Sequence, residues 1–153
     1  MKVEIIEISK RPDLLSKAVE YFWRCWGSER NFKFYQDCII HSTDETKSLP
    51  KFYIILDNEE IIASCALLIN DIISRQDLIP WLACLFVNEP YRDKGIAELL
   101  LKHGLEEAKG KGYEKLYLST DLENFYERKG WKYLTNGFNT DDSEIKIYEK
   151  STN

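Results

Sequence analysis

No apolar run in this 153-residue chain approaches the roughly 18 residues of a membrane-spanning helix, and no basic-then-apolar leader opens it. Neither secretion nor a membrane span is expected. Cysteine is sparse: Cys25, Cys38, Cys65 and Cys84 show no C-x-x-C spacing and sit among apolar residues. That pattern argues against a disulfide framework or a zinc site. It reads as buried, unbridged thiols in a reducing compartment, so the expected location is cytoplasmic. There is no excess of positive charge either. A net charge of −5 argues against nucleic acid as the main partner and mildly favours a cationic one. No repeat, low-complexity tract or linker divides the chain, so one domain over residues 1–153 is expected, long enough to bury a sizeable core.

What is present is a strong pattern between Leu82 and Ala108. The apolar run Leu82-Ala83-Cys84-Leu85-Phe86-Val87 reads as a buried strand. A short turn with Pro90 leads to Arg92-Asp93-Lys94-Gly95-Ile96-Ala97. A helix follows in which Ala97, Leu100, Leu101, Gly104, Leu105 and Ala108 form one apolar stripe. A strand that feeds a helix N-terminus through a basic loop containing glycine is a ready anion site. The first backbone N–H groups of a helix lack intrahelical partners, and the dipole places partial positive charge there. Gly95 lets the backbone approach a bulky anion, and Arg92 and Lys94 add charge.

Around that centre the chain reads as a mixture of strands and helices. Lys2–Ile8 alternates as a first strand. Leu14–Trp26 is an amphipathic helix with Pro12 just ahead of it, and Glu29–His41 is a second helix with Ser28 as its cap. Lys51–Leu56 and Glu60–Ile69 are β-rich runs joined by Asp57-Asn58-Glu59, a hairpin turn that tolerates positive φ. After the central helix come a strand at Glu114–Ser119, a short helix at Leu122–Lys129, and a strand pair at Trp131–Phe138 and Glu144–Glu149. The expected class is α/β, with a mixed sheet of about seven strands flanked by about four helices.

Arg92-Asp93-Lys94-Gly95-Ile96-Ala97 resembles the Q/R-x-x-G-x-G/A signature of the GNAT acetyltransferase superfamily. Downstream, Asn124-Phe125-Tyr126-Glu127-Arg128-Lys129-Gly130-Trp131 is similar to that family's F/L-Y-x-x-x-G-F/W ending. The two motifs stand in the family's order, with strand-like Leu116-Tyr117-Leu118 between them. The resemblance implies a GNAT fold with a splayed central sheet, and acetyl-CoA as acyl donor with its diphosphate on Arg92, Asp93, Lys94, Gly95, Ile96 and Ala97. It further implies carbonyl polarisation by backbone N–H groups of Leu85, Phe86 and Val87, and Tyr126 as the general acid at the departing thiolate.

Two departures stand out. The family often carries an asparagine ahead of the tyrosine, where this chain has the shortened Ser119-Thr120-Asp121-Leu122. The central strand has Cys84 and Phe86 where some members place a glutamate base, so the base is unassigned, with His41, Asp71 and Glu89 as candidates. On the acceptor side the pattern implies the two N-terminal helices and the connection before the central strand, which carry Trp23, Trp26, Tyr35, Asp71 and Trp81. Aromatic faces and a carboxylate both attract an ammonium group. The expected activity is therefore N-acetyl transfer to a primary amine of a small cationic molecule, with Asp71 and Trp81 binding it. The competing expectation is a CoA-binding module without turnover. A homodimer is allowed for; nucleic acid, membrane and metal are not expected. A dinucleotide-binding unit fits poorly, since the loop has one glycine rather than three.

Overall fold

The computed structural model describes residues 3–153. Its strands are β1 (Ile5–Glu7), β2 (Lys51–Asp57), β3 (Glu60–Leu68), β4 (Trp81–Val87), β5 (Lys115–Thr120), β6 (Lys132–Phe138) and β7 (Glu144–Ser151). They form an open seven-stranded sheet in the order β1-β2-β3-β4-β5-β7-β6. Among the described residues there are three α-helices, α1 (Leu15–Trp26), α2 (Phe32–Ile40) and α3 (Ile96–Gly110). The mixed α/β class and the seven strands agree with the sequence reading. The beginning of the first strand at Lys2 lies outside the described residues.

The chain falls into two compact units. The first takes the described residues up to Ala66 together with Cys84–Leu100; the second takes Leu67–Ala83 together with Leu101–Asn153. In the first unit β1 pairs antiparallel with β2, Ile6 opposite Ile54. The β2–β3 turn has Asn58 and Glu59 at φ 49° and 66°, the two positive values of a two-residue hairpin loop that suits the strand twist. Ala18, Val19 and Phe22 bury one face of α1, and the Phe22 ring meets Phe52 of β2 edge to face at 5.0 Å. Pro12 opens a 3-10 turn, Pro12–Leu14, that runs into α1.

In the second unit β4 and β5 are parallel, registered at Trp81 opposite Tyr117, and β7 pairs antiparallel with both β5 and β6. Trp81 is wholly buried with Ile73 and Ile147, against which Leu78, Tyr117 and Ile145 pack. α3 lies close on β4 here. A Cβ at Gly104 would stand 2.7 Å from Leu82 Cδ1, so a larger residue there would have to push the Leu82 methyl aside.

Two element boundaries, each for a local reason, and the burial of the cysteines differ from expectation. Helix α2 begins at Phe32 rather than Glu29. Asn31 Oδ1 accepts the Ser28 N–H at 2.6 Å and Ser28 Oγ accepts the Arg30 N–H at 3.3 Å, which holds 28–31 in a turn. The helix expected at Leu122–Lys129 is a single 3-10 turn, Glu127–Lys129. Asn124 adopts φ 62°, and its carbonyl accepts Arg128 Nε at 2.9 Å, taking the acceptor an α-helix would give to the Arg128 amide. Of the cysteines only Cys65 is fully buried; Cys25, Cys38 and Cys84, on α1, α2 and the middle of β4, are half-buried.

Candidate active site

In the basic loop Asp93 and Gly95 both take left-handed backbone conformations, φ 61° and 80°, and turns with such residues are where successive amides can form anion-binding concavities. The Gly95 carbonyl accepts the Leu99 N–H at 3.1 Å and so starts α3. The N–H groups of Ile96 and Ala97 fall in the first turn, where a helix offers no acceptor. A Cβ at Gly95 would meet nothing within 4 Å, so the space over the loop is open to a ligand. Lys94 Nζ lies 5.7 Å from the Tyr91 ring centre. Tyr91 in turn donates its hydroxyl to Asp57 Oδ2 at 2.6 Å, fixing the turn before the loop to β2.

Arg92 holds the loop to the end of β4. Its Nε donates to the Val87 carbonyl at 2.9 Å and its guanidinium lies 5.4 Å from the Phe86 ring centre. Within that strand Cys84 stands at φ 53°, a left-handed residue without the freedom of glycine. Its carbonyl accepts the hydroxyl of the fully buried Ser64 at 2.9 Å. A left-handed residue inside a strand interrupts the regular alternation of amides, and Leu85, Phe86 and Val87 follow it in β4. Asn88 closes the strand. Its N–H donates to Ile62 C=O at 2.8 Å, its Nδ2 to Ile61 C=O at 3.2 Å, and its Oδ1 accepts the Tyr21 hydroxyl at 2.7 Å. Burial pushes the Tyr21 phenol well up, so it remains the donor in that bond.

Tyr126 belongs to the second unit, where it is 8% exposed and packs edge to face on Phe125 and Trp131 at 4.9 and 6.3 Å. Its backbone carbonyl accepts from both Lys129 and Trp131 N–H groups. Burial pushes its phenol up to about 12, and among the described residues no hydrogen bond engages its hydroxyl. Asp71, in the same unit, lies half-buried at the start of the connection before β4. Burial pushes its carboxyl up to about 6, opposed by the hydrogen bond from Ser119. The connection is firmly built: Asn70 Oδ1 accepts the Ile73 N–H at 2.9 Å, and Phe138 N–H donates to Ser74 Oγ at 2.9 Å.

The family model described as "Acetyltransferase (GNAT) family" matches residues 15–131. The chain belongs to the GNAT acetyltransferase family. Solved structures similar to this GNAT chain include an acetyltransferase from Streptococcus agalactiae 2603, 24% identical, covering 97% of this chain and 98% of that one at TM-score 0.69. Others are aminoglycoside 6'-acetyltransferase type Ii (17% identical, 100% and 98% covered, TM-score 0.74) and an aminoglycoside 6'-N-acetyltransferase complexed with coenzyme A (14%, 100% and 98%, TM-score 0.73). At these identities the likeness speaks to the fold alone. No curated protein matches the chain in sequence.

Within the first unit the GNAT chain brings the expected residues Leu85, Phe86 and Val87 to one end of β4 and ties them through Arg92 to the loop ending at Ala97. One expectation is corrected. Trp81 offers no acceptor surface, because its place in β4 buries the ring completely and its Nε1 donates to Leu78 C=O at 2.6 Å. Of the candidate bases, His41 Nδ1 contacts Asp37 C=O at 2.8 Å on an exposed helix end, and Glu89 is exposed in a 3-10 turn. Asp71 differs from both in being half-buried, and burial pushes its carboxyl up to about 6. Ser64, Asn88 and Ser119 carry no motif, and only their long-range partners reveal them.

Proposed function

We propose that this GNAT chain is a cytoplasmic N-acetyltransferase that moves the acetyl group of acetyl-CoA to a primary amine of a small cationic molecule. The observation that carries the reading is the loop Arg92–Ala97: two left-handed residues, an open space over Gly95 and the start of α3, following a strand with a left-handed residue at Cys84. The residues fit a diphosphate. The amides of Gly95, Ile96 and Ala97 supply donors, Lys94 adds charge, and Arg92 keeps the loop in place.

When bound, acetyl-CoA supplies an activated thioester. The amides beyond Cys84, in Leu85–Val87, are donors for the carbonyl oxygen as it gains negative charge, a contribution of about 3 kcal/mol where such donors are preorganised. Tyr126 stabilises the departing sulfur. A phenol at about 12 stays protonated at any physiological pH. Relative to a thiol near 8.5 it is the weaker acid, so its main contribution is a strong hydrogen bond to the thiolate. Asp71 is mostly ionised above pH 6, attracts the ammonium form of the acceptor and orients the nitrogen before it loses its proton.

Calorimetric titration with acetyl-CoA, followed by an amine panel monitored for free thiol release, tests the reading. Binding with turnover supports it. Binding without turnover on any amine would leave a CoA-binding module, and no binding would refute both.

A further inference from the structure

α1 carries four aromatic rings, and they are not equivalent. Phe22 is fully buried against β2. Tyr21 lies edge to face with Phe86 at 6.5 Å, its hydroxyl committed to Asn88. Trp23 meets Phe32 at 5.3 Å and gives its Nε1–H to Ser28 C=O at 2.7 Å, so it serves the turn into α2. Trp26 differs from all three. It packs on Phe22 at 5.8 Å and edge to face on Phe86 at 6.0 Å, yet it remains 38% exposed. Among the described residues no acceptor takes its indole N–H. The other exposed rings of this region, Phe32 and Phe34, contact Trp23 and Tyr35 and not the strand end.

We infer that the half-exposed indole of Trp26 is the acceptor-recognition face, and that the acceptor is a primary amine carried on a short arm from a flat aromatic ring. The inference rests on the acetyltransferase reading above. Trp26 is the exposed ring in contact with Phe86, which lies in the segment whose amides would polarise the acetyl carbonyl. An acceptor stacked on it has one apolar end fixed beside the reacting centre. The wall formed by Trp26, Phe86 and Tyr21 presents ring surface rather than polar groups. It is backed at Phe86 by the Arg92 guanidinium, 5.4 Å from the ring centre, which opposes a second cation there. The wall therefore selects the ring end of the acceptor, and the short arm carries the amine past it to the thioester carbonyl.

The experiment compares 2-phenylethylamine with n-butylamine in the wild type and in Trp26→Ala, Trp26→Leu and Trp26→Phe, using thiol release with acetyl-CoA. The wild type should prefer 2-phenylethylamine in kcat/KM by about tenfold, mostly through KM. Trp26→Ala and Trp26→Leu should remove that preference, with n-butylamine changed by less than about twofold, while Trp26→Phe keeps most of it. Acetyl-CoA affinity, measured by titration, should be unaltered in all of them. Equal use of both amines by the wild type overturns the inference and leaves the acetyltransferase reading standing. A preference that survives in Trp26→Leu also overturns it, and that variant keeps the apolar bulk that folding needs. If no amine is turned over by the wild type, the reading itself fails and takes this inference with it.

Discussion

Arg92 is bound twice to the end of β4, by its Nε to the Val87 carbonyl at 2.9 Å and by its guanidinium over the Phe86 ring at 5.4 Å. It therefore acts as a brace between the anion loop and the strand as well as a charge. Arg92→Lys keeps the charge but loses the Nε bond and the flat cation–π contact. Both Arg92→Lys and Arg92→Ala should weaken CoA binding by about five- to tenfold. A lysine variant with wild-type affinity in a calorimetric titration would show that charge alone matters.

At Gly95 the open space and the φ of 80° act separately. The apo protein has room for a side chain, but a non-glycine residue there costs about 1–2 kcal/mol in backbone strain. Gly95→Ala should carry mainly the strain. Gly95→Val adds a branched Cβ where the diphosphate would lie and should weaken CoA binding by at least about tenfold. Unchanged affinity in a folded Gly95→Val variant would remove the loop from the cofactor site.

Tyr126→Phe keeps the ring contacts with Phe125 and Trp131 and deletes a hydroxyl that no described residue engages. The melting temperature and CoA affinity should hardly move, while kcat falls by about 10²-fold or more. With the wild-type phenol held at about 12, its deprotonation should cause no loss of activity below about pH 11. Unaltered turnover in the phenylalanine variant would return Tyr126 to a packing role.

Asp71 makes a prediction in pH. Burial raises its carboxyl from the ordinary 3.8 to about 6. The stability tied to its neutral form is complete below about pH 4 and is lost as pH rises through 6. Asp71→Asn has no charge to bury. It should match the wild type in unfolding free energy near pH 4 and exceed it near pH 8, by at most about 3 kcal/mol, as read by denaturant titration. Near pH 8 the same variant should raise the KM for the amine several-fold and leave that for acetyl-CoA alone. Equal pH profiles for the two proteins would mean that the carboxylate is not held in a costly place.

These features were not equally visible in the sequence. The hairpin at Asp57-Asn58-Glu59 and the stripe of α3 were legible because turn chemistry and helical period act within a few residues. Leu122, Phe125, Tyr126 and Lys129 mimic a helical period, and only the left-handed Asn124 cancels it, a conformation that one asparagine does not announce. The left-handed Cys84 was no more visible, and its carbonyl is held by the hydroxyl of Ser64, twenty positions away. Trp81 read as a binding aromatic because composition does not say which face of a strand is buried. The shifted carboxyl of Asp71 is likewise invisible in the sequence, because it comes from burial in the folded chain, and the hydrogen bond from distant Ser119 opposes it.

The two compact units exchange the chain inside β3, β4 and α3, after Ala66, Ala83 and Leu100. During synthesis, therefore, the first unit cannot be completed by the first 66 residues, because it waits for Cys84–Leu100, which bring the end of β4 and the basic loop. A nascent chain stalled within that interval holds α1 and β2 without the Phe86 ring that Tyr21 and Trp26 pack on. The residues proposed to handle the donor are thus also the ones whose arrival closes the first unit, and a chain truncated before them should be recognised as unfinished by chaperones or proteases.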